Sequence, residues 1–254
     1  MSAIVQDPAY SPWRSYLQEA RCEFLRMVRE PAFCLPVIGF PVLFYLLFGV
    51  VLDKGTGGAS RYLLATYGAF GVIGAGLFGF GVTIAVDREK GLLRLKRALP
   101  VPPGALLVAK MVMAMLFAAI ISLVLAVIAA TVAGVTLEPS QWIRLFVINV
   151  LGVLPFCAIG LYVGSLVGGN AAPALLNMLY LPMAFLSGLW LPLTMLPGIL
   201  STIAPAWPAY HLGQLALKVV GFDMGQPIGM HVGVLIGITV LFFVLAQRRL
   251  SATE

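Results

Sequence analysis

Charge is scarce in this sequence: Asp, Glu, Lys and Arg make up 10% of its 254 residues, while 61% are hydrophobic and the mean hydropathy is +1.00. Soluble domains carry about 25% charged and roughly 45–50% apolar residues, so this composition indicates an integral membrane protein instead. Cysteine is nearly as rare. Cys22, Cys34 and Cys157 are odd in number and far apart, with no C-x-x-C spacing, which excludes a disulfide framework or a zinc site. The two histidines, His211 and His231, have no carboxylate cluster beside them and read as structural. Also missing are G-x-x-x-x-G-K-[ST], H-E-x-x-H and a nucleophile elbow, so neither nucleotide hydrolysis nor covalent catalysis is expected of this chain, and no cofactor of its own. A membrane-embedded hydrolase would need a nucleophile and a base at span depth, and the sequence offers no such pair.

What the chain has in abundance is long uncharged runs, at residues 31–52, 62–86, 111–135, 145–167, 171–193 and 229–246. A span needs about 20 mainly apolar residues. The runs are apolar on every face, whereas barrel strands alternate over about ten positions. The fold class expected is therefore an all-α integral membrane protein with six transmembrane helices, forming a single membrane domain over residues 1–254. None of the six runs contains Asp, Glu, Lys or Arg, which argues against an ion relay, because pumped ions and protons need polar partners inside the membrane. The mild polar residues Thr83, Ser122, Asn149, Ser165, Asn177 and Ser187 read first as helix-to-helix hydrogen-bonding groups.

Twelve of the sixteen Lys and Arg residues fall before the first run, between the second and third, or after the last. Lys54, Arg61, Arg144 and Lys218 fall on the other side, so the positive-inside rule places both termini in the cytoplasm. The net charge of +6 has the same origin and calls for no nucleic-acid partner. The first thirty residues carry eight charges and no apolar core, so the first span is expected to serve as its own signal. Within residues 12–30, Trp13, Tyr16, Leu17, Ala20, Phe24, Met27 and Val28 recur at helical spacing opposite Arg14, Gln18, Arg21, Arg26 and Arg29. That pattern predicts an amphipathic helix lying on membrane lipids at the inner interface.

"GAGLFG", residues 74–79, fits a dinucleotide fingerprint, but it sits in the middle of an apolar run with no strand before it. Close approach of another helix explains these glycines better. The one polar island between spans is "DREKGLLRLKRALPVPP", residues 87–103, where seven of the first eleven residues are charged. If 88–99 is helical, Leu92, Leu95 and Leu99 share one face and Lys90, Arg94 and Arg97 another, until Pro100, Pro102 and Pro103 end it. From these residues alone, a docking element and a solvated basic loop are equally good readings.

The island continues as "DREKGLLRLKRALPVPPGALLVAK", and a second segment reads "LSGLWLPLTMLPGILSTIAPAWPAYHLGQLAL" at residues 186–217. Both resemble signatures of the ABC type 2 exporter permeases: an acidic-basic run, a leucine-rich turn, "PV" and a lysine opening the next span, then "SG…P…LP…P" after the fifth. The resemblance covers nearly the whole chain. It implies the membrane-spanning half of an exporter in the bacterial inner membrane, with a second copy completing the pathway and a separate cytoplasmic ATP-binding subunit holding ATP and Mg. It makes 87–103 the coupling segment, with Asp87, Arg88, Glu89, Lys90, Gly91, Leu92, Leu93, Arg94, Lys96 and Arg97 as partner-binding residues, and residues 194–228 a re-entrant stretch in the outer leaflet. Leu92 stands where the family often has Thr, and Arg94 and Lys96 make the segment unusually basic. Phe117, Asn149, Asn177, Met178, Met183, Phe185 and Trp190 are the candidate pathway residues for a hydrophobic or amphipathic drug, antibiotic or lipid-like substrate. A lipid-linked glycan is the alternative cargo. The rival of another class is an ATP-independent carrier or channel, against which the uncharged spans and the docking segment both weigh.

Overall fold

The computed structural model describes residues 12–53, 58–93, 95 and 104–252, and among these the secondary structure is entirely helical. Arg94, Lys96 and Arg97, with the three prolines of the island, lie outside the described residues. In chain order the α-helices are α1 (Pro12–Val28), α2 (Pro31–Phe44), α3 (Gly58–Glu89), α4 (Ala105–Thr131), α5 (Pro139–Leu151), α6 (Leu154–Leu166), α7 (Ala172–Leu186), α8 (Gly198–Ile203), α9 (Pro208–Val220) and α10 (Ile228–Ala252).

Among the described residues, five stretches are long and apolar enough to cross a membrane: Pro31–Val51, Gly58–Glu89, Ala105–Thr131, Pro139–Leu166 and Ile228–Leu250. The run expected at 171–193 differs. Its helix, α7, has 15 residues, about 22 Å at 1.5 Å per residue, short of a hydrocarbon core of roughly 30 Å. Gly188, in the left-handed region at φ 76°, ends this stretch of chain. The final run, shortest in the sequence pattern, instead forms a helix of 25 residues.

α3 is the axis of the molecule. Its 32 residues span about 48 Å, most of them are buried, and it packs most extensively against α6 and then α4. The contact with α6 explains the glycines of both helices: a Cβ at Gly164 would lie 2.3 Å from the Gly81 carbonyl oxygen, and one at Gly160 2.8 Å from that of Leu77. Backbone meets backbone here, with the small residues letting the helices close up.

Proline shapes the remaining breaks. α2 holds Pro36 and Pro41, each lacking an amide donor, and continues as a π-helical turn over Tyr45–Val51 in which the buried Tyr45 ring lies against Gly49. α5 opens with a capping box between Glu138 and Gln141, and Pro155 divides it from α6 within what the sequence reads as a single span.

α1 buries Glu23 and Met27 but leaves Trp13 and Leu17 exposed. One large core joins the buried faces of these helices. α10 packs on α6 and α9 and presents Ile236, Val240 and Leu241 outward.

The helix expected over 88–99 begins later. Asp87, Arg88 and Glu89 form the last turn of α3, a turn follows at Lys90 and Gly91, and helical backbone resumes at Leu92 and Leu93. Gly91 sits at φ 71°, a conformation that breaks an α-helix and that glycine adopts without a Cβ penalty.

Candidate functional site

Three successive side chains at the end of α3 turn to three different partners. Asp87 is buried, with Arg26 Nη1 donating to its Oδ1 at 2.9 Å, and Lys110 Nζ 2.9 Å from its Oδ2 in an ionic contact outside hydrogen-bonding alignment. Arg88 donates to the Ser165 and Val167 carbonyls, the latter at 2.8 Å, covering the exposed end of α6. A cation over a helix C-terminus also meets the negative end of its dipole. Glu89 accepts from the Gly169 amide at 2.6 Å, in the turn between α6 and α7. Arg249, from α10, reaches the same Ser165 carbonyl at 3.3 Å.

Lys110 is the centre of this cluster. It is fully buried in the second turn of α4 and donates to Glu23 Oε2 at 2.9 Å and to Thr83 Oγ1 at 3.0 Å. Thr83 in turn donates to the Gly79 carbonyl at 2.7 Å. Among the described residues, the carboxylates of Glu23 and Asp87 thus meet the cations of Arg26 and Lys110 where α1, α3 and α4 come together. Buried charges persist only when paired, because desolvation costs each of them several kcal/mol by order of magnitude.

Sequence reasoning singled out Asp87 but not Glu23, Arg26 or Lys110 as its partners. The available signal was Lys110 itself, a lone cation interrupting an apolar stretch that begins at Ala105. The residues expected to face a partner divide: Asp87 and Arg88 hold the chain's own helices together, Glu89 does so while itself exposed, Lys90 and Leu95 are exposed, and Gly91, Leu92 and Leu93 are half-buried.

A cavity of about 660 Å³ lies beside this cluster. Arg26, Glu30 and Lys90 contribute its charged lining, Phe33, Val37, Phe40 and Phe78 its apolar lining, and Asn177 and Tyr180 join from α7. Tyr180 is fixed by stacking on Phe70, with ring centroids 4.7 Å apart, and by donating to the Phe70 carbonyl at 2.9 Å.

The seven candidate pathway residues do not converge. Asn177 lines the large cavity, Trp190 a second of about 520 Å³, and Asn149 a third of about 290 Å³. Phe117 is buried between Phe24 and Phe33, Met183 is buried in the core, and Phe185 meets Trp190 edge-on. Met178 is 76% exposed on the outer surface of α7.

The far end of the bundle brings together what the sequence left apart. His211 and His231 are both buried, with their Nδ1 atoms 2.9 Å apart, and His211 Nε2 lies 2.9 Å from the Pro205 carbonyl oxygen. If Nε2–H donates to that carbonyl, His211 Nδ1 is the acceptor for His231, a tautomer arrangement that ties α9 to α10. Lys218 Nζ donates to Asp223 Oδ2 at 2.8 Å and to the Gln226 carbonyl at 2.9 Å, closing the loop between the same two helices. That hydrogen bond holds the Asp223 carboxyl below its ordinary 3.8.

Comparison with known proteins agrees with this architecture. The family model described as ABC-2 type transporter matches residues 17–220, from α1 through α9. A protein of Bacillus subtilis (strain 168) named "Putative transport permease YvfS" is 25% identical over 234 residues, covering 91% of this chain and 94% of its own length.

Proposed function

The chain belongs to the ABC-2 type transporter family, and on that premise we propose that it is the permease subunit of an ATP-driven exporter, pairing with a second copy to move a hydrophobic or amphipathic molecule. The fold is that of a multi-pass membrane protein. ATP and Mg²⁺ belong to a separate ATP-binding subunit docked beneath it. The segment from Lys90 onward faces that subunit, and Asp87, Arg88 and Glu89 carry its movements into α1, α4 and α6. Both termini are cytoplasmic, the membrane is the bacterial inner membrane, and the short helices around 194–206 with α9 dip into the outer leaflet. α7, together with the segment that follows it, forms the fifth of six spans.

The observation that supports the substrate class best is the large cavity, whose lining combines the charged Arg26, Glu30 and Lys90 with Phe33, Phe40, Phe78 and Tyr180. A molecule with one polar end and one greasy body matches such a lining. An inorganic ion would find few groups there to replace its water.

The test begins with purification from the native host, which should bring an ATP-hydrolysing protein along. In vesicles holding both proteins, amphipathic drugs or lipids should change the ATPase rate, and Val82→Trp, which fills the cavity, should remove that response while basal hydrolysis continues. ATP-driven sodium or potassium movement with no response to any amphiphile would overturn this reading.

A further inference from the structure

We propose that the groove between α3, α4 and α5 binds an uncharged lipid carrying a hydroxyl group. This site is separate from the large cavity and from the transport reading built on it.

The groove encloses about 290 Å³ and has no charged residue in its lining. Leu123 and Ile143 line it and are 55% and 64% exposed, so it opens on the outer surface of the bundle, where acyl chains lie in a membrane. Leu64, Trp142 and Phe146 supply further apolar lining. Two polar side chains from different helices also line it: Ser122 on α4 and Asn149 on α5, 7% and 2% exposed. Among the described residues, neither Ser122 Oγ nor Asn149 Oδ1 has a hydrogen-bond partner. Gly68, opposite, is bare enough to admit the amide: a Cβ there would stand 2.9 Å from Asn149 Nδ2.

Buried polar atoms without partners are rare in native proteins, and inside a bilayer no bulk water relieves them. Two of them lining one cavity on facing helices specify the polar part of a ligand. The carboxamide oxygen needs a donor, which excludes alkanes, ethers and ketones. Absence of any cation or carboxylate in the lining disfavours a charged headgroup, whose desolvation would go unmatched. A hydroxyl both donates and accepts, so it serves Ser122 Oγ as well as Asn149 Oδ1, and it still serves if the amide is turned about. The greasy remainder of the molecule then reaches the bilayer past Leu123 and Ile143.

Trp142, in the lining, provides the readout. The full chain in lipid nanodiscs is titrated with a long-chain alcohol tipped with bromine, a quencher of tryptophan fluorescence, and with the bromoalkane of the same length. The alcohol should quench saturably, and Trp142→Phe should abolish that component. Ser122→Ala and Asn149→Leu should each raise the half-saturating concentration about five-fold, equivalent to one hydrogen bond of about 1 kcal/mol. Ser122→Ala is small enough to preserve folding and decides the matter if the Asn149 variant aggregates. Equal half-saturation for alcohol and alkane, an unchanged value in Ser122→Ala, or no saturable component would each overturn the proposal.

Discussion

Lys110 Nζ stands 2.9 Å from Glu23 Oε2, joining helices 87 residues apart in sequence, and neither side chain is more than 4% exposed. Lys110→Met would leave the buried carboxylates of Glu23 and Asp87 without the ammonium that lies 2.9 Å from each. Removing one partner of a buried pair costs about 3–5 kcal/mol. The thermal midpoint in detergent should therefore fall sharply, and neutralising the carboxylates as well, in Glu23→Gln/Asp87→Asn/Lys110→Met, should restore part of the loss. A triple variant less stable than Lys110→Met would show that stranded charge is not the cause.

The backbone contact of α3 with α6 makes an equally sharp prediction. Gly164→Ala places a methyl 2.3 Å from the Gly81 carbonyl oxygen, whereas Gly237→Ala meets nothing within 4 Å. Overpacking of this kind costs about 1–3 kcal/mol. Thermal unfolding should separate the two variants, with Gly237→Ala close to the parent.

Arg88→Ala removes the guanidinium from the Ser165 and Val167 carbonyls. Together with its ATP-binding partner, the variant should hydrolyse ATP but transport poorly. Parallel measurement of hydrolysis and transport in one vesicle preparation checks this, and undiminished transport would free Arg88 from any part in coupling.

Topology is open to labelling once Cys22, Cys34 and Cys157 are replaced. A cysteine at the exposed Thr136 should react with an impermeant reagent added outside the cell, and one at the exposed Lys90 should not. The opposite pattern would invert the proposed orientation.

Acid should loosen the loop between α9 and α10. The Asp223 carboxyl titrates below its ordinary 3.8 when Lys218 donates to it. A depressed folded-state pKa contributes stability above the unfolded value, and that contribution is lost as pH falls through the folded one. The stability gap between parent and Asp223→Asn should thus hold at neutral pH and shrink below about pH 4, near the free carboxylate value. A gap that widens in acid would contradict the pairing.

Five of the spans were legible because unbroken apolar runs leave little choice in a bilayer, and the first begins at Pro31, where its run does. The charged cluster was not legible. Hydropathy stops a span at the first charge, yet α3 continues through Asp87 and Glu89, and α4 has already begun before Lys110. A helix can extend through charged residues when distant side chains neutralise them, and the 61 residues between Arg26 and Asp87 leave no local pattern to read. Asn149 and Ser122 posed the reverse problem: each reads as a helix-to-helix hydrogen bond, yet among the described residues Ser122 Oγ and Asn149 Oδ1 have no partner and line one shared groove.

The unbroken length of α3 makes it a lever. Its charged end is tied to α1, α4 and α6, and its glycine face lies directly on α6, so little slack separates a push at the island from the core. Displacing the end of a stiff helix about 48 Å long by about 5 Å tilts it by only about 6°. A large stroke at the charged end would reach the other end of the bundle as a small rotation, the gearing that suits opening a narrow passage without breaking the seal around it.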